Sequence, residues 1–250
     1  MKKRIILIAF AILSAVGLTA CAGKSAVLGE TKTYEITSDI HSLDIEINAA
    51  EFTIEEADEF SVESNLKNLS VSEKDGVLTI VDKTRYSVGY NDAVLKLYIP
   101  KDITFEEANI KTGAGKLTAE SLSADSFELK AGAGQVEFDS LEALTDADIK
   151  GGAGEIIIKD GNLNNLNLNL GAGRLDLTAA LLGESDLKFG LGESDITLLG
   201  SKDDYKFEVK NGIGKITIDD EDAFAFANRG NGENFVKIEG GLGATTIRFQ

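Results

Sequence analysis

The chain has 250 residues, 43% of them hydrophobic and 27% charged, which is enough apolar material for one sizeable core. A single Cys and a single His exclude a zinc or iron–sulfur cluster and any disulfide within the chain, and no cofactor is expected. The net charge of −17 would repel the phosphate backbone of a nucleic acid, so nucleic acid is not an expected partner.

The first 20 residues predict a lipoprotein signal peptide. A basic start, Met1–Arg4, is followed by an uncharged apolar run, residues 5–20, which is shorter than the ~20 residues of a membrane span. The run ends in Leu18-Thr19-Ala20-Cys21, which resembles the bacterial lipobox, and Cys21 is the only cysteine. This resemblance implies a lipid on Cys21, followed by a tether over residues 21–31. We therefore expect a protein held on a cell membrane, on its extracytoplasmic side.

The remainder of the chain is an internal repeat built on a Gly-x-Gly element. Seven such elements occur, and their first glycines are 19, 20, 19, 19, 22 and 29 residues apart. We interpret all fourteen glycines as structural corners: Gly113, Gly115, Gly132, Gly134, Gly152, Gly154, Gly171, Gly173, Gly190, Gly192, Gly212, Gly214, Gly241 and Gly243.

Each element lies between two short segments in which apolar and polar residues alternate, as in Phe127-Glu128-Leu129-Lys130 before the corner at Gly132 and Gln135-Val136-Glu137-Phe138 after the same corner. Alternation with period two is typical of half-buried strands. One coil is then a strand, a glycine corner where the backbone turns through positive φ, a second strand and a polar return. The pattern predicts an all-β protein, a parallel β-solenoid or β-helix-like body with coils of about 19–20 residues.

Three columns of apolar residues appear when the coils are aligned, and we predict that all three face the interior. The residues between the glycines are Ala114, Ala133, Ala153, Ala172, Leu191, Ile213 and Leu242; those three before the first glycine are Ile110, Leu129, Ile149, Leu168, Leu187, Val209 and Ile238; those four after the second are Ala119, Phe138, Ile158, Leu177, Ile196, Ile218 and Ile247. Columns of charged residues between them are expected to face solvent and to form modest salt bridges.

Residues 32–104 are expected to form a less regular β region that leads into the coils. Asn48-Ala49-Ala50 is a plausible degenerate corner, and Asp75-Gly76 is the turn of a hairpin. Val94–Pro100 is a strand that ends at the only proline. No linker separates the two parts, so we predict a single domain over residues 32–250, with regular coils from 105.

The chain resembles the bacterial "putative adhesin" domain family of unknown function. The features that carry the resemblance are Ile99-Pro100, the acidic segment after it, and the reiterated strand–glycine–strand coils behind a lipobox. The resemblance covers about residues 34–250 and implies an envelope protein with a solenoid-like body. It supplies no catalytic residues. In the family the corner usually carries a polar residue, whereas here that position is Ala, Leu or Ile.

The residue types of other segments make them candidate sites. Glu184, Asp186, Glu193 and Asp195 form two Gly-Glu-Ser-Asp segments, and paired carboxylates can serve glycoside hydrolysis. Weak binding of a hard cation is an alternative for these acids or for Asp219, Asp220, Glu221 and Asp222. Two breaks in the repeat are candidate interaction loops, and they contain Tyr86, Tyr90, Phe224, Phe226 and Arg229; the two phenylalanines alternatively cap the core.

These observations favour a lipid-anchored envelope protein that is not an enzyme and whose solenoid binds an envelope glycan or protein. Two alternatives remain open: a carbohydrate-active β-helix enzyme, and a regulatory envelope-stress component that binds another protein.

Overall fold

The computed structural model describes residues 28–84, 92–223 and 230–250. In this part of the chain the fold is all-β, with one short 3₁₀ turn, Lys202–Asp204. The strands are β1 Leu28–Glu35, β2 Ser42–Ile47, β3 Glu51–Ala57, β4 Ser61–Leu66, β5 Leu69–Lys74, β6 Val77–Asp82, β7 Val94–Pro100, β8 Thr104–Thr112, β9 Lys116–Ala131, β10 Gln135–Gly151, β11 Glu155–Ile158, β12 Gly161–Asn164, β13 Leu166–Leu182, β14 Glu184–Leu198, β15 Tyr205–Lys210, β16 Lys215–Ile218, β17 Glu221–Asp222, β18 Asn234–Glu239 and β19 Leu242–Phe249.

The predicted parallel solenoid is confirmed by the strand pairing. β9 lies parallel to β10 along almost its whole length, with Leu129 opposite Ile149 and Ala119 opposite Phe138. Matching positions of successive coils therefore lie one above another, ~4.8 Å apart. The columns before and after the corner face the interior as predicted: their residues are buried except for Val209, which is half-buried.

Each coil has three sides, and this shows in the burial pattern of β9. Buried and outward residues alternate along residues 116–119, 121–124 and 126–131, and the alternation slips by one residue where one side gives way to the next. We name the sides by their place relative to the glycine corner. Side 1 leads into the corner (residues 126–131 in β9), side 2 follows the corner (116–119), and side 3 joins side 2 to the next side 1 (121–124).

Side 3 differs from the polar return that the sequence suggested. It is a true strand, because Leu122 and Ala124 pair in register with Leu141 and Ala143, and all four are buried. An extra residue at 144–145 bulges out of β10 on this side. The bulge accounts for the one 20-residue spacing among coils of 19, and it leaves Leu144 exposed.

The irregular N-terminal region is part of the same stack. The corner Asn48-Ala49-Ala50 lies on the Gly113 corner, with Gly113 N–H donating to Ile47 O at 2.9 Å. The predicted hairpin is β5–β6, and its turn residues Asp75 and Gly76 have φ of 52° and 75°. The pairing of the strands places the first coil, β2–β3, between β8–β9 on one side and β6–β7 on the other.

The C-terminal end has the same kind of interruption. β18 pairs with β14 on one side and with β15 on the other, and β19 likewise lies between β14 and β16. The last coil of the chain is therefore inserted between the two coils that precede it. Stacking in chain order, which our alignment of the columns assumed, stops at β14.

The C-terminal core is filled by aromatic side chains. The rings of Tyr205, Phe207 and Phe249 lie about 6 Å apart, and the buried Tyr205 hydroxyl donates to Leu199 O at 2.6 Å. Burial raises the pKa of Tyr205 above its ordinary value. The predicted cap residues Phe224 and Phe226 lie outside the described residues.

Over residues 28–84, 92–223 and 230–250, no helix is long and apolar enough to cross a membrane.

Candidate functional site

The glycine corners are required by close stacking more than by backbone conformation. A Cβ on Gly134 would lie 2.0 Å from Gly115 O, and one on Gly154 would lie 2.0 Å from Gly134 O. Among the fourteen corner glycines only Gly192 and Gly243 have positive φ. The expectation that these corners turn through positive φ was therefore wrong for most of them: glycine is present because the backbones of successive rungs touch.

The residues between the glycines stack as predicted, but the prediction that they face the interior was wrong. Ala133 N–H donates to Gly113 O at 2.8 Å, and Ala153 N–H donates to Gly132 O at 2.9 Å, so the corners are in register. All seven side chains are nevertheless exposed. The two flanking glycines press against the neighbouring rung, which leaves the middle residue on the convex, outer side of the bend.

These seven residues form one exposed apolar row, which we call the corner ridge. In spatial order it consists of Ala114, Ala133, Ala153, Ala172, Leu191, Leu242 and Ile213. Its large members occupy three adjacent rungs at the C-terminal end, with exposures of 53% for Leu191, 47% for Leu242 and 87% for Ile213. Contiguous exposed apolar side chains are typical of interaction sites.

The ridge ends where the N-terminal region covers it. Ala49, the matching residue of the first coil, is only 7% exposed. Beside it, the Asn48 amide donates to the backbone carbonyls of Asp82 at 3.0 Å and Thr84 at 2.8 Å. The ridge is thus covered at one end and, in the described part of the chain, open at the other.

A groove of about 480 Å³ runs along side 1 next to the corners. It is lined by the glycines Gly113, Gly132 and Gly152 and by three lysines from adjacent rungs, Lys111, Lys130 and Lys150, with Glu46 at one end. We call it the lysine groove. The glycines have no side chain to fill it, and the lysines stand beside them in a single column.

The acids beside the lysines lie one column farther from the corner. Lys130 contacts Glu128 at 2.5 Å and Lys150 contacts Asp148 at 3.0 Å, each within its own rung. On the rung of Lys111 the corresponding position holds Asn109. The predicted outward charge columns are confirmed here as partly exposed ion pairs.

At the C-terminal end the same columns alternate in sign from rung to rung. Lys237 lies between Asp186 and Glu208, and Glu239 lies between Lys188 and Lys210. Hydrogen bonds from Lys210 and Lys237 lower the pKa of Glu239, and Glu239 and Asp186 raise the pKa of Lys237. On side 2, Glu155, Arg174 and Glu193 alternate in sign on successive rungs, and Ala244 then separates Glu193 from Lys215.

The two pairs of candidate catalytic carboxylates lie on different sides of the coil. Glu184 and Asp186 are on side 1, where Asp186 contacts Lys188 at 3.0 Å and Lys237 at 3.5 Å. Glu193 and Asp195 are on side 2, beyond the Gly190–Gly192 corner, and Asp195 lies 4.0 Å from Arg248. The fold therefore does not bring the four acids to one side.

The acidic run 219–222 is a turn and a short strand. Asp219 and Asp220 have φ of 55° and 62°, and Asp219 lies 3.4 Å from Lys202 Nζ. Among the residues that the structure describes, no three His, Cys, Asp or Glu side chains are grouped to hold a metal ion.

Several predicted site residues lie outside the described ranges: Cys21, Tyr86, Tyr90, Phe224, Phe226 and Arg229. The corner ridge and the lysine groove were not predicted as sites, although every one of their residues stands in a column that the repeat defines.

The fold and its surface define a class: a parallel β-solenoid protein with outward-facing corner residues. Residues 34–233 match the family model described as Toastrack DUF4097, and the chain belongs to this family. A search of curated proteins found no match.

Two solved structures have the same fold. One, described as a putative adhesin from Bacteroides fragilis, is 15% identical, with a TM-score of 0.60 over 87% of this chain and 95% of that chain. Another, a putative adhesin from Parabacteroides distasonis, is 17% identical, with a TM-score of 0.50 over 87% of this chain and 97% of that one.

Proposed function

We propose that the protein is a lipid-anchored binding module on the extracytoplasmic face of a cell membrane, that it has no catalytic activity, and that it holds an envelope ligand along its corner surface. The corner ridge is the observation that carries this proposal. Its large apolar side chains lie on three adjacent rungs and are about half or more exposed to solvent.

The solenoid suits this role because its contacts repeat. Ridge and groove offer similar groups on each rung, so a ligand with its own repeat can make many weak contacts at once. Display of many copies on a membrane, through a lipid on Cys21, strengthens such contacts further.

The non-catalytic part of the proposal is supported by the surroundings of the acids. Asp186 and Asp195 lie on separate outer sides and contact basic side chains. An acid–base pair for glycoside hydrolysis needs two carboxyl groups facing one sugar.

The test uses the full-length lipidated protein in neutral phosphatidylcholine vesicles, mixed with envelope fragments and sedimented. The wild-type protein is expected to sediment with the fragments, and Leu191→Ser with Ile213→Ser is expected to weaken binding about tenfold. Leu144→Ser is the matched control, because Leu144 is 49% exposed but lies on side 3, away from the ridge. In cells, Cys21→Ala is expected to abolish labelling by a radioactive fatty acid.

Failure of the wild-type protein to sediment would overturn the binding proposal, and equal binding by the ridge variant would remove the ridge from it. Turnover of an envelope polysaccharide that is lost on substitution of Glu184, Asp186, Glu193 and Asp195 would establish the enzyme instead.

A further inference from the structure

The arrangement of the three lysines in the lysine groove is unfavourable for the stability of the fold. Lys111, Lys130 and Lys150 occupy one column on adjacent rungs, ~4.8 Å apart, and like charges placed directly opposite one another are destabilising. In the same column at the other end of the molecule, Glu239 lies between two lysines. The fold can therefore accommodate alternation here. The lysine column departs from it except at its end, where Glu46 lies opposite Lys111.

The groove beside this column is open because of the corner glycines. Gly113, Gly132 and Gly152 line it together with residues of side 1, among them the three lysines. A ligand lying along the corners would meet these lysines before it met the acids of the outer column.

The ion pairs that now hold two of the lysines are easily exchanged. The side chains of Lys130 and Lys150 are more than two-fifths exposed, and ion pairs at such positions contribute little to stability. On the rung of Lys111, Asn109 stands where the next two rungs have acids. An anionic group can thus replace Glu128 and Asp148 at small cost.

We propose that the lysine groove binds a linear anionic polysaccharide, with successive charged units placed on successive rungs. This inference rests on the proposed binding function and names the ligand class for it. A polymer is favoured over a small anion because each exposed lysine alone contributes a weak contact, whereas three in register act together. A chain with one charge per rung, ~4.8 Å apart, is favoured over a nucleic acid duplex, which carries one charge per ~1.7 Å, since the flanking acids and the net charge of −17 repel a denser polyanion.

The experiment titrates three polysaccharides into the full-length protein in phosphatidylcholine vesicles: polygalacturonate, which carries carboxylates, a polysaccharide of sugars joined by phosphodiesters, which carries phosphates, and uncharged dextran. At least one anionic polymer is expected to bind, more weakly at high salt, while dextran does not. The triple change Lys111→Gln, Lys130→Gln and Lys150→Gln is expected to weaken binding at least about tenfold and to reduce its salt dependence.

The matched control is Lys188→Gln with Lys210→Gln, which removes two lysines of the same column outside the groove. It is expected to retain binding within about twofold. Equal binding by the triple variant and the wild-type protein overturns the inference, and so does equal binding of dextran. If neither anionic polymer binds while the wild-type protein still sediments with envelope fragments, the groove proposal fails and the binding function stands. If sedimentation fails too, both fall.

Discussion

The central coils and the two ends of the molecule are built by different rules. From β8 to β14 the coils stack in chain order, each on the one made just before it. At both ends the order breaks: β2–β3 and β18–β19, the first and last coils of the chain, are each enclosed between two others. The chain thus uses repetition in the middle and insertion at the ends, where an open stack would expose unpaired strands.

The largest expected effect comes from removing the inserted coil. A chain that stops after residue 233 lacks β18 and β19, which supply every parallel partner of β15 and β16 in the described structure. We expect the thermal midpoint to fall by roughly 10 °C or more, since about 1 kcal/mol moves it 2–4 °C in a chain of this size. Hydrogen exchange should show residues 205–218 unprotected.

Retained protection of residues 205–218 in the shortened chain would contradict this prediction. It would mean that β15 had moved directly onto β14, so that insertion is not needed to hold the end.

A smaller effect is expected at the corners, and its size should depend on position. An alanine Cβ would lie 2.0 Å from the neighbouring backbone at Gly134 and 2.2 Å at Gly214, so the clash is nearly the same. Gly134 has coils on both sides, whereas Gly214 lies on the outermost described rung, which can move outward. We expect Gly134→Ala to cost about 3 kcal/mol and Gly214→Ala about 1 kcal/mol in urea unfolding.

The control for the corners is Ala133→Ser, which changes an exposed side chain beside Gly134 and should leave stability nearly unchanged. Equal costs at Gly134 and Gly214 would show that the end is packed as firmly as the middle.

The smallest effect concerns the charges of the inserted coil. Exchanging the pair, with Lys237→Glu and Glu239→Lys, places like charges beside Asp186, Glu208, Lys188 and Lys210. We expect the thermal midpoint to fall by a few degrees at low salt and to recover at high salt, because salt screens exposed charges.

The same exchange in the central coils, Glu128→Lys with Lys130→Glu, should leave the midpoint unchanged or raise it, since Lys111 and Lys150 lie on either side of Lys130. A fall of equal size at both places would mean that the rung-to-rung pattern has no part in placing the last coil.

The interior of the coils could be predicted from the sequence because burial imposes a period on it. Ile149 and Phe138 stand in columns with no polar member, and both are fully buried. Whether the side chains of the corner residues face the interior or solvent could not be predicted in this way. Ala133 is small enough for either environment, and its side chain lies outside where the flanking Gly132 and Gly134 stack closely on the neighbouring rung.

The order of the end coils could not be predicted from apolar columns, because Ile238 and Val209 fit either position. A signal was present in the charges: Lys237 and Glu239 stand in the reverse order to the acid and lysine of the neighbouring coils. With the last coil inserted, each of these two charges faces unlike charges on both neighbouring rungs. Stacking in chain order would instead place Glu208 opposite Asp186 and Lys210 opposite Lys188. The third side was missed because its serines concealed the short apolar pair Leu122 and Ala124.

The place of β18–β19 has a consequence for how the molecule is made. Because β18 and β19 follow β15 and β16 in the chain and yet lie between them and β14, β15 and β16 must wait for these later strands before they find their parallel partners. That end can therefore close only after β18 and β19 have been synthesised. The central coils, each of which stacks on the coil made just before it, can form earlier.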